Sequence, residues 1–451
     1  MTRTTKILFL LAAAAFLASR AQSAAMADDL KRRGMIGVQL APLNDEMVKH
    51  LNLSDNKGIV ISGVMPNTAA EEAGLKGNDI LRKIDQAAVE SFQQGLTLLR
   101  RYRAGDTVPL TVIREGSEQT LKVTLRPRPL ETWTDIDVVY DSAGEPGKRV
   151  RTILTKPKSG GKRPAVVLLP EPIPNSVEFA GQMQNPVRAL IESMTKAGFV
   201  TMRVERLSVG DSEGSDLADY TIEGDAASFR SAIAKLKSFE FVDGEKIFLL
   251  THGPGAALAP LVARGSPIRG IVTYAAVVRP VVEVIPEMLQ RRWKIDLVPD
   301  AEVQSDMEKV KKFIDLCLIK GKKPADIFSE YPDFKPILEK LDSDDTFVFG
   351  MHYKQAQQLA GLNSLPQWAE VKTPVLAVWG KSDFVADKKD SEMIVAAVKK
   401  NATFLEMAEI DHMFGKAADQ EESALAGVGT YHQGFTDVLK KWLGEQGASV
   451  P

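Results

Sequence analysis

Apolar and polar positions follow two rhythms along this chain. Between residues 33 and 127, short apolar runs are broken by Gly and Asp turns, which predicts strands at 33–40, 58–64, 80–84, 108–114 and 119–125. One stretch there, 91–102, instead sets Phe92, Leu96, Leu99 and Tyr102 close to helical spacing. From residue 128 the rhythm changes. Strand-like runs at 136–139, 150–154, 165–169, 200–204, 247–250, 271–274, 375–378 and 403–407 alternate with helical patterns that include 187–197, 222–238 and 390–399. That alternation is the order of an α/β sheet. Residues 126–129, Arg-Pro-Arg-Pro, read as a short linker between the two regions.

Composition adds limits. A chain of 451 residues with 44% hydrophobic and 26% charged residues is long enough for two or three domains with real cores. A net charge of -2, with no long run of one sign, argues against a nucleic-acid partner. Arg3 and Lys6 precede an apolar run at 7–18, and Ala25-Met26-Ala27 supplies a small-residue cleavage site. Residues 1–27 therefore read as a secretory signal peptide, which predicts a periplasmic or secreted protein and membrane contact through that segment only. Cys317 is the single cysteine, so an intrachain disulfide is excluded. Its neighbours Ile314, Leu316, Leu318 and Ile319 predict a buried structural thiol.

Within 33–127, a small-residue helix at 66–73 leads into Ala73-Gly74-Leu75 and Gly77-Asn78-Asp79-Ile80, and a last hairpin follows from Thr107. This resembles the PDZ domains attached to bacterial periplasmic proteases. The resemblance implies β-augmentation, in which a peptide C-terminus adds a strand to a sheet edge and its carboxylate meets backbone N–H groups. The matching loop is Met35-Ile36-Gly37-Val38, with Leu40 continuing the receiving strand and Phe92, Leu96 and Leu99 offering a groove wall. Arg32 and Arg33 would add positive charge. The expected partner is a C-terminal peptide or protein segment.

Within 128–447, the stretch 247–256 runs from an apolar strand through Thr251-His252-Gly253-Pro254-Gly255 into a small-residue helix. Strand, sharp turn and helix are the setting of a G-x-S-x-G nucleophile elbow. Residues 198–214 resemble the fourth-strand region of α/β-hydrolases, Gly380-Lys381-Ser382-Asp383 the strand end that carries a triad acid, and Asp411-His412 the histidine loop. The resemblance is to serine-aminopeptidase-like and dienelactone-hydrolase-like proteins. It implies an eight-stranded, mostly parallel sheet flanked by helices, with a lid-like insert at 281–368, and it assigns Asp383 as acid and His412 as base. Asp387 is a weaker alternative acid.

The nucleophile slot, however, is Gly253, which has no hydroxyl. The next residue, Pro254, has no N–H for an oxyanion hole. The loop 170–174, Pro-Glu-Pro-Ile-Pro, is poor in donors, and its Glu171 would repel an oxyanion. Losing one oxyanion donor costs about 100- to 1000-fold in rate. The expectation is a hydrolase-like protein without triad hydrolysis, acting in binding or scaffolding. The alternative is an esterase or peptidase that uses a displaced nucleophile or an activated water. Thr251 points away from the elbow apex by position, and Ser208 and Ser212 read as turn caps. His252 is expected to pack inside the elbow. His50, His352 and His432 fall in no metal-ligating spacing, so no metal is expected. Gly253-Pro254-Gly255 lacks the rest of a dinucleotide fingerprint, so no cofactor is expected, although a small acid or ester at the elbow is compatible with a helix N-terminus.

Overall fold

Alternating apolar positions in the first region build a small antiparallel sheet. The computed structural model describes residues 30–450 apart from 52, 183, 215, 426 and 428, and the expected signal peptide lies outside the described residues. Strands β1 (Gly34–Met35), β2 (Val38–Pro42), β3 (Ile59–Val64), β4 (Ile80–Ile84), β5 (Thr107–Arg114), β6 (Ser117–Thr124) and β7 (Arg126–Pro127) and helix α1 (Phe92–Leu99) form this unit. The ladder runs β2-β3-β4-β5-β6, so β2 is an edge strand, while β1 pairs with β7. Ile59, Ile61, Leu81, Val108, Leu110 and Val112 fill the core.

The second unit holds one eight-stranded sheet. Its strands are β8 (Ile136–Ala143), β9 (Val150–Pro157), β10 (Arg163–Leu169), β11 (Val200–Val204), β12 (Val242–His252), β13 (Ile268–Tyr274), β14 (Val375–Gly380) and β15 (Ala402–Met407). The spatial order is β15-β14-β13-β12-β10-β11-β9-β8. β8 and β9 pair antiparallel, as do β9 and β11, and the rest is parallel. Each of the eight expected runs lies in one of these strands.

The central strands are apolar throughout because both faces are covered. Along β12, Ile247 and Leu249 pack on one face with α3 (Ile222–Leu236) and α4 (Gly255–Ala263). Phe248 and Leu250 pack on the other with α2 (Pro186–Lys196) and the C-terminal helix Gln433–Glu445. This is the two-residue period of a strand. Between β13 and β14 the chain leaves the sheet for helices that include α5 (Val281–Ile295), α6 (Asp300–Ile314) and α7 (Tyr353–Ala360), with a separate core around Phe313, Ile327 and Leu338. Cys317 is buried there, and burial pushes its thiol up to about 12.

The two units are joined by ion pairs rather than by a loose linker. Arg32 bonds Asp211 and lies 2.8 Å from Glu178, and the Arg33 N–H donates to Asp211 at 2.7 Å. Arg103 donates to the Ser212 carbonyl at 3.0 Å. The Arg128 N–H donates to the Arg33 carbonyl, and its side chain reaches Ser176 at 3.0 Å. Asp211 sits at the centre of this joint, since buried Arg151 also meets it at 3.1 Å.

Candidate functional site

The elbow keeps its architecture. β12 ends at His252, Gly253 turns at φ +52, and α4 starts at Gly255. The Gly253 N–H donates to the Tyr274 carbonyl and its own carbonyl accepts from Val277, both at 3.1 Å, so the turn is tied to β13. That left-handed backbone is strained for any residue with a Cβ.

Asp383 follows β14 and is fully buried. Its Oδ1 accepts the N–H groups of Val385 at 2.7 Å and Ala386 at 2.9 Å. Its Oδ2 accepts from His412 Nδ1 at 2.9 Å. The histidine loop is fixed by Asp411, whose Oδ1 accepts from Met413 and Gly415 and whose carbonyl accepts from the Tyr274 hydroxyl. The structure thus brings together Asp383 and His412, as the motifs suggested. Asp387 instead caps the helix Lys388–Val398.

The third member of the chain is one that sequence reasoning placed differently. Glu171 Oε1 lies 2.9 Å from His412 Nε2, the nitrogen that would face a serine hydroxyl. A Cβ added at Gly253 would lie only 2.5 Å from the same oxygen. The Glu171 carboxylate therefore occupies the nucleophile slot instead of facing an oxyanion from a neighbouring loop. The loop itself is pinned. Arg206 donates to the carbonyls of Glu171 at 2.8 Å and Pro170 at 2.9 Å while pairing with Asp225, and Gln355 from the insert donates to the Pro172 carbonyl. Prolines on both sides of Glu171 limit the backbone further.

Charge follows geometry. Burial disfavours the His412 cation, but Asp383 and Glu171 on its two nitrogens raise it to about 10. Burial likewise opposes the Glu171 anion, and the His412 hydrogen bond and nearby His252 hold it down to about 2. Glu171 keeps 24% side-chain exposure, so this end of the chain reaches solvent.

His252 packs inside the elbow, with its ring stacked near Tyr274 and 5.0 Å from Phe414. Its Nε2 lies 2.8 Å from the His412 carbonyl, and its Nδ1 lies 3.8 Å from Glu171 Oε1. Glu171, His252 and His412 thus present one ligand-type atom each within 4.8 Å of one another. The expectation of no metal rested on sequence spacing, which cannot reveal residues 81 and 160 positions apart meeting at one point. Thr251 is buried and its hydroxyl has no partner, and Ser212 bonds the backbone of Arg151 and Glu205. A cavity of about 1020 Å³ lies elsewhere, lined by Arg103, Lys148, Arg206, Ser208, Tyr220 and Gln355 among others, and it does not include His412 or Gly253.

Residues 181–415, just over half of the chain, match the family profile described as serine aminopeptidase, S33. The chain belongs to the serine aminopeptidase S33 family. Residues 34–125 match a PDZ domain profile. The chain is similar to the esterase EstD of Thermotoga maritima, at 23% identity over 286 residues, 63% of this chain and 60% of that protein. The PDZ segment is similar to a probable periplasmic serine protease do/HhoA-like of Haemophilus influenzae, at 34% identity over 95 residues, 21% of this chain and 20% of that protein. The chain thus spans about a fifth of its periplasmic protease relatives. Among solved structures, Est1E from Butyrivibrio proteoclasticus aligns with a TM-score of 0.42 and 16% identity over 69% of this chain and 99% of that one.

A PDZ domain points to peptide binding in general. Gly37 turns at φ +89, and a Cβ there would meet Thr68 at 2.2 Å, so the loop 35–38 requires glycine. Ile36 is buried, Met35 is partly exposed on β1, and Val38 and Leu40 lie half-buried on the edge strand β2. Phe92 and Leu99 pack on the same core from α1, and Leu96 is half-buried beside them. Arg32 and Arg33 do not supply charge to this loop. The Arg32 guanidinium is spent on Asp211 and Glu178 in the joint, and the Arg33 guanidinium reaches the Gly210 carbonyl at 3.4 Å while its backbone N–H donates to Asp211.

Proposed function

We propose that this protein is an exported peptide-binding member of the S33 family whose hydrolase unit performs no acyl-enzyme chemistry and serves binding or scaffolding. One observation carries the reading: the Glu171 carboxylate stands where a serine hydroxyl would stand, bonded to His412 Nε2. A nucleophilic serine needs that nitrogen as its base. Here the nitrogen is already engaged, and Gly253 and Pro254 supply neither hydroxyl nor oxyanion N–H. The Asp383–His412 pair then acts as an internal tie between two strand-end loops and the 170–174 loop. Similarity of the PDZ segment to periplasmic proteases and the apolar run at 7–18 support export. Among the described residues no helix is long and apolar enough to cross a membrane.

In the PDZ unit, a C-terminal peptide would add a strand along β2, with its carboxylate at 35–38 and its last side chain between Leu40, Phe92 and Leu96. The test is a titration of EDTA-treated protein with C-terminal peptides, read by amide NMR shifts at residues 35–40, beside an assay with p-nitrophenyl esters and aminoacyl amides. Peptide-dependent shifts with no turnover above buffer are expected. Turnover that disappears in His412→Ala and Asp383→Ala would overturn the reading of the hydrolase unit. Absence of any shift across a peptide library would overturn that of the PDZ unit.

A further inference from the structure

The geometry points to a divalent metal site of the zinc type at Glu171 Oε1, His252 Nδ1 and His412 Nε2. This goes beyond the binding reading above and does not depend on it. Two imidazole nitrogens face the Glu171 oxygen, one carrying a lone pair and one that a metal ion would take over from its proton. A carbonyl oxygen only accepts, so the His252 nitrogen 2.8 Å from the His412 carbonyl, Nε2, must carry the proton. The neutral ring then leaves a lone pair on Nδ1, which faces Glu171 at 3.8 Å, beyond hydrogen-bond reach. Asp383 likewise accepts the proton on His412 Nδ1, so a metal that displaces the proton shared between His412 Nε2 and Glu171 finds that nitrogen's lone pair directed at the same oxygen.

Both imidazoles are thus held through their second nitrogens by a carbonyl and a carboxylate. That is how metal-bound histidines are oriented in general. Aromatic packing fixes the His252 ring against the stacked pair Tyr274 and Phe414. Arg206 and the flanking prolines fix the backbone of Glu171. Tetrahedral bonds of about 2.1 Å place ligand atoms roughly 3.4 Å apart. The Glu171 oxygen is 2.9 and 3.8 Å from the two nitrogens, each about half an ångström from that value, and the two nitrogens lie within 4.8 Å of each other, so closing the site also draws the rings together. Two imidazoles and a carboxylate suit zinc or cobalt over magnesium or calcium, which favour all-oxygen sets. Three protein ligands leave a fourth position for water or a ligand carboxylate. Glu171, being partly exposed, gives the ion a route in.

The experiment uses the full chain stripped with EDTA and titrated with Zn²⁺ by calorimetry, with Co²⁺ as a spectroscopic probe. One Zn²⁺ per chain and the strong visible absorption of four-coordinate Co²⁺ are expected. Glu171→Gln and His252→Ala should each weaken binding by more than about 100-fold and remove the Co²⁺ bands, and Asp383→Asn should weaken it by about 10- to 100-fold. His50→Ala, in the other unit, should change nothing. Thermal unfolding checks that each variant is folded. A wild-type protein that gives no Co²⁺ bands and no Zn²⁺ heat overturns the proposal. So does binding that persists unchanged in Glu171→Gln and His252→Ala.

Discussion

If Glu171 and Gly253 share one space, substituting the glycine must act through the glutamate. In Gly253→Ala the new Cβ would sit 2.5 Å from Glu171 Oε1, 3.0 Å from its Cγ and 3.1 Å from its Cδ. The obstructing atoms belong to a side chain, so Glu171 swings away and its bond to His412 is lost. A charge-assisted hydrogen bond is worth about 1.5–3 kcal/mol. The alanine must also take the left-handed φ of +52, which costs roughly 1–2 kcal/mol. The single substitution should therefore destabilise the hydrolase unit by about 2.5–5 kcal/mol. In a Glu171→Ala background the bond is already gone, and the same change should cost only the backbone share. A double-mutant cycle should return a coupling of about 1.5–3 kcal/mol. All five tryptophans, at 133, 293, 368, 379 and 442, lie in this unit, so fluorescence-detected denaturation follows it separately from the PDZ unit. Equal cost of Gly253→Ala in both backgrounds would refute the shared-slot argument.

Further outcomes follow from other buried groups. Burial raises the Glu205 carboxyl to about 7 despite the Ser176 hydroxyl and Arg128, and one of its oxygens has no partner. The folded state then binds the proton more tightly than the unfolded state, so stability is lost as pH rises from about 4.5 through about 7. Glu205→Gln should match wild type near pH 4 and exceed it at pH 8 by on the order of 3 kcal/mol, read as a pH series of unfolding midpoints. Arg203 and Glu131 form a buried pair at 2.6 Å, and Arg203→Met leaves the carboxylate unpaired. A loss of about 3–5 kcal/mol in denaturant unfolding is expected. In the PDZ unit, amidating a bound peptide's C-terminus removes a charge-assisted hydrogen bond of about 1.5–3 kcal/mol, so fluorescence anisotropy should show about tenfold weaker binding or worse.

The architecture was readable because it depends on local pattern. Alternate residues of β12 face two different cores, and a run such as Ile247-Phe248-Leu249-Leu250 announces a strand covered on both sides. Asp383 and His412 were readable because each ends a recognisable strand or loop. Glu171 was visible only as an acid among prolines. Its role depends on side-chain direction, set by Arg206 and by Gln355 from an insert almost two hundred residues later. The His252 tautomer depends on a carbonyl 160 positions away, a relation that no spacing rule contains. The fates of Arg32 and Arg33 were missed for the same reason. Nothing local shows that Asp211 and Glu178 will pair with Arg32 or that the Gly210 carbonyl will meet Arg33.

If Glu171 fills the nucleophile slot, no serine acyl-enzyme can form. The direct measurement is the intact mass of the wild-type protein after exposure to an excess of a fluorophosphonate probe. An unmodified mass is expected, with a parallel active serine hydrolase fully labelled. A single stoichiometric adduct mapped to any serine would contradict the account.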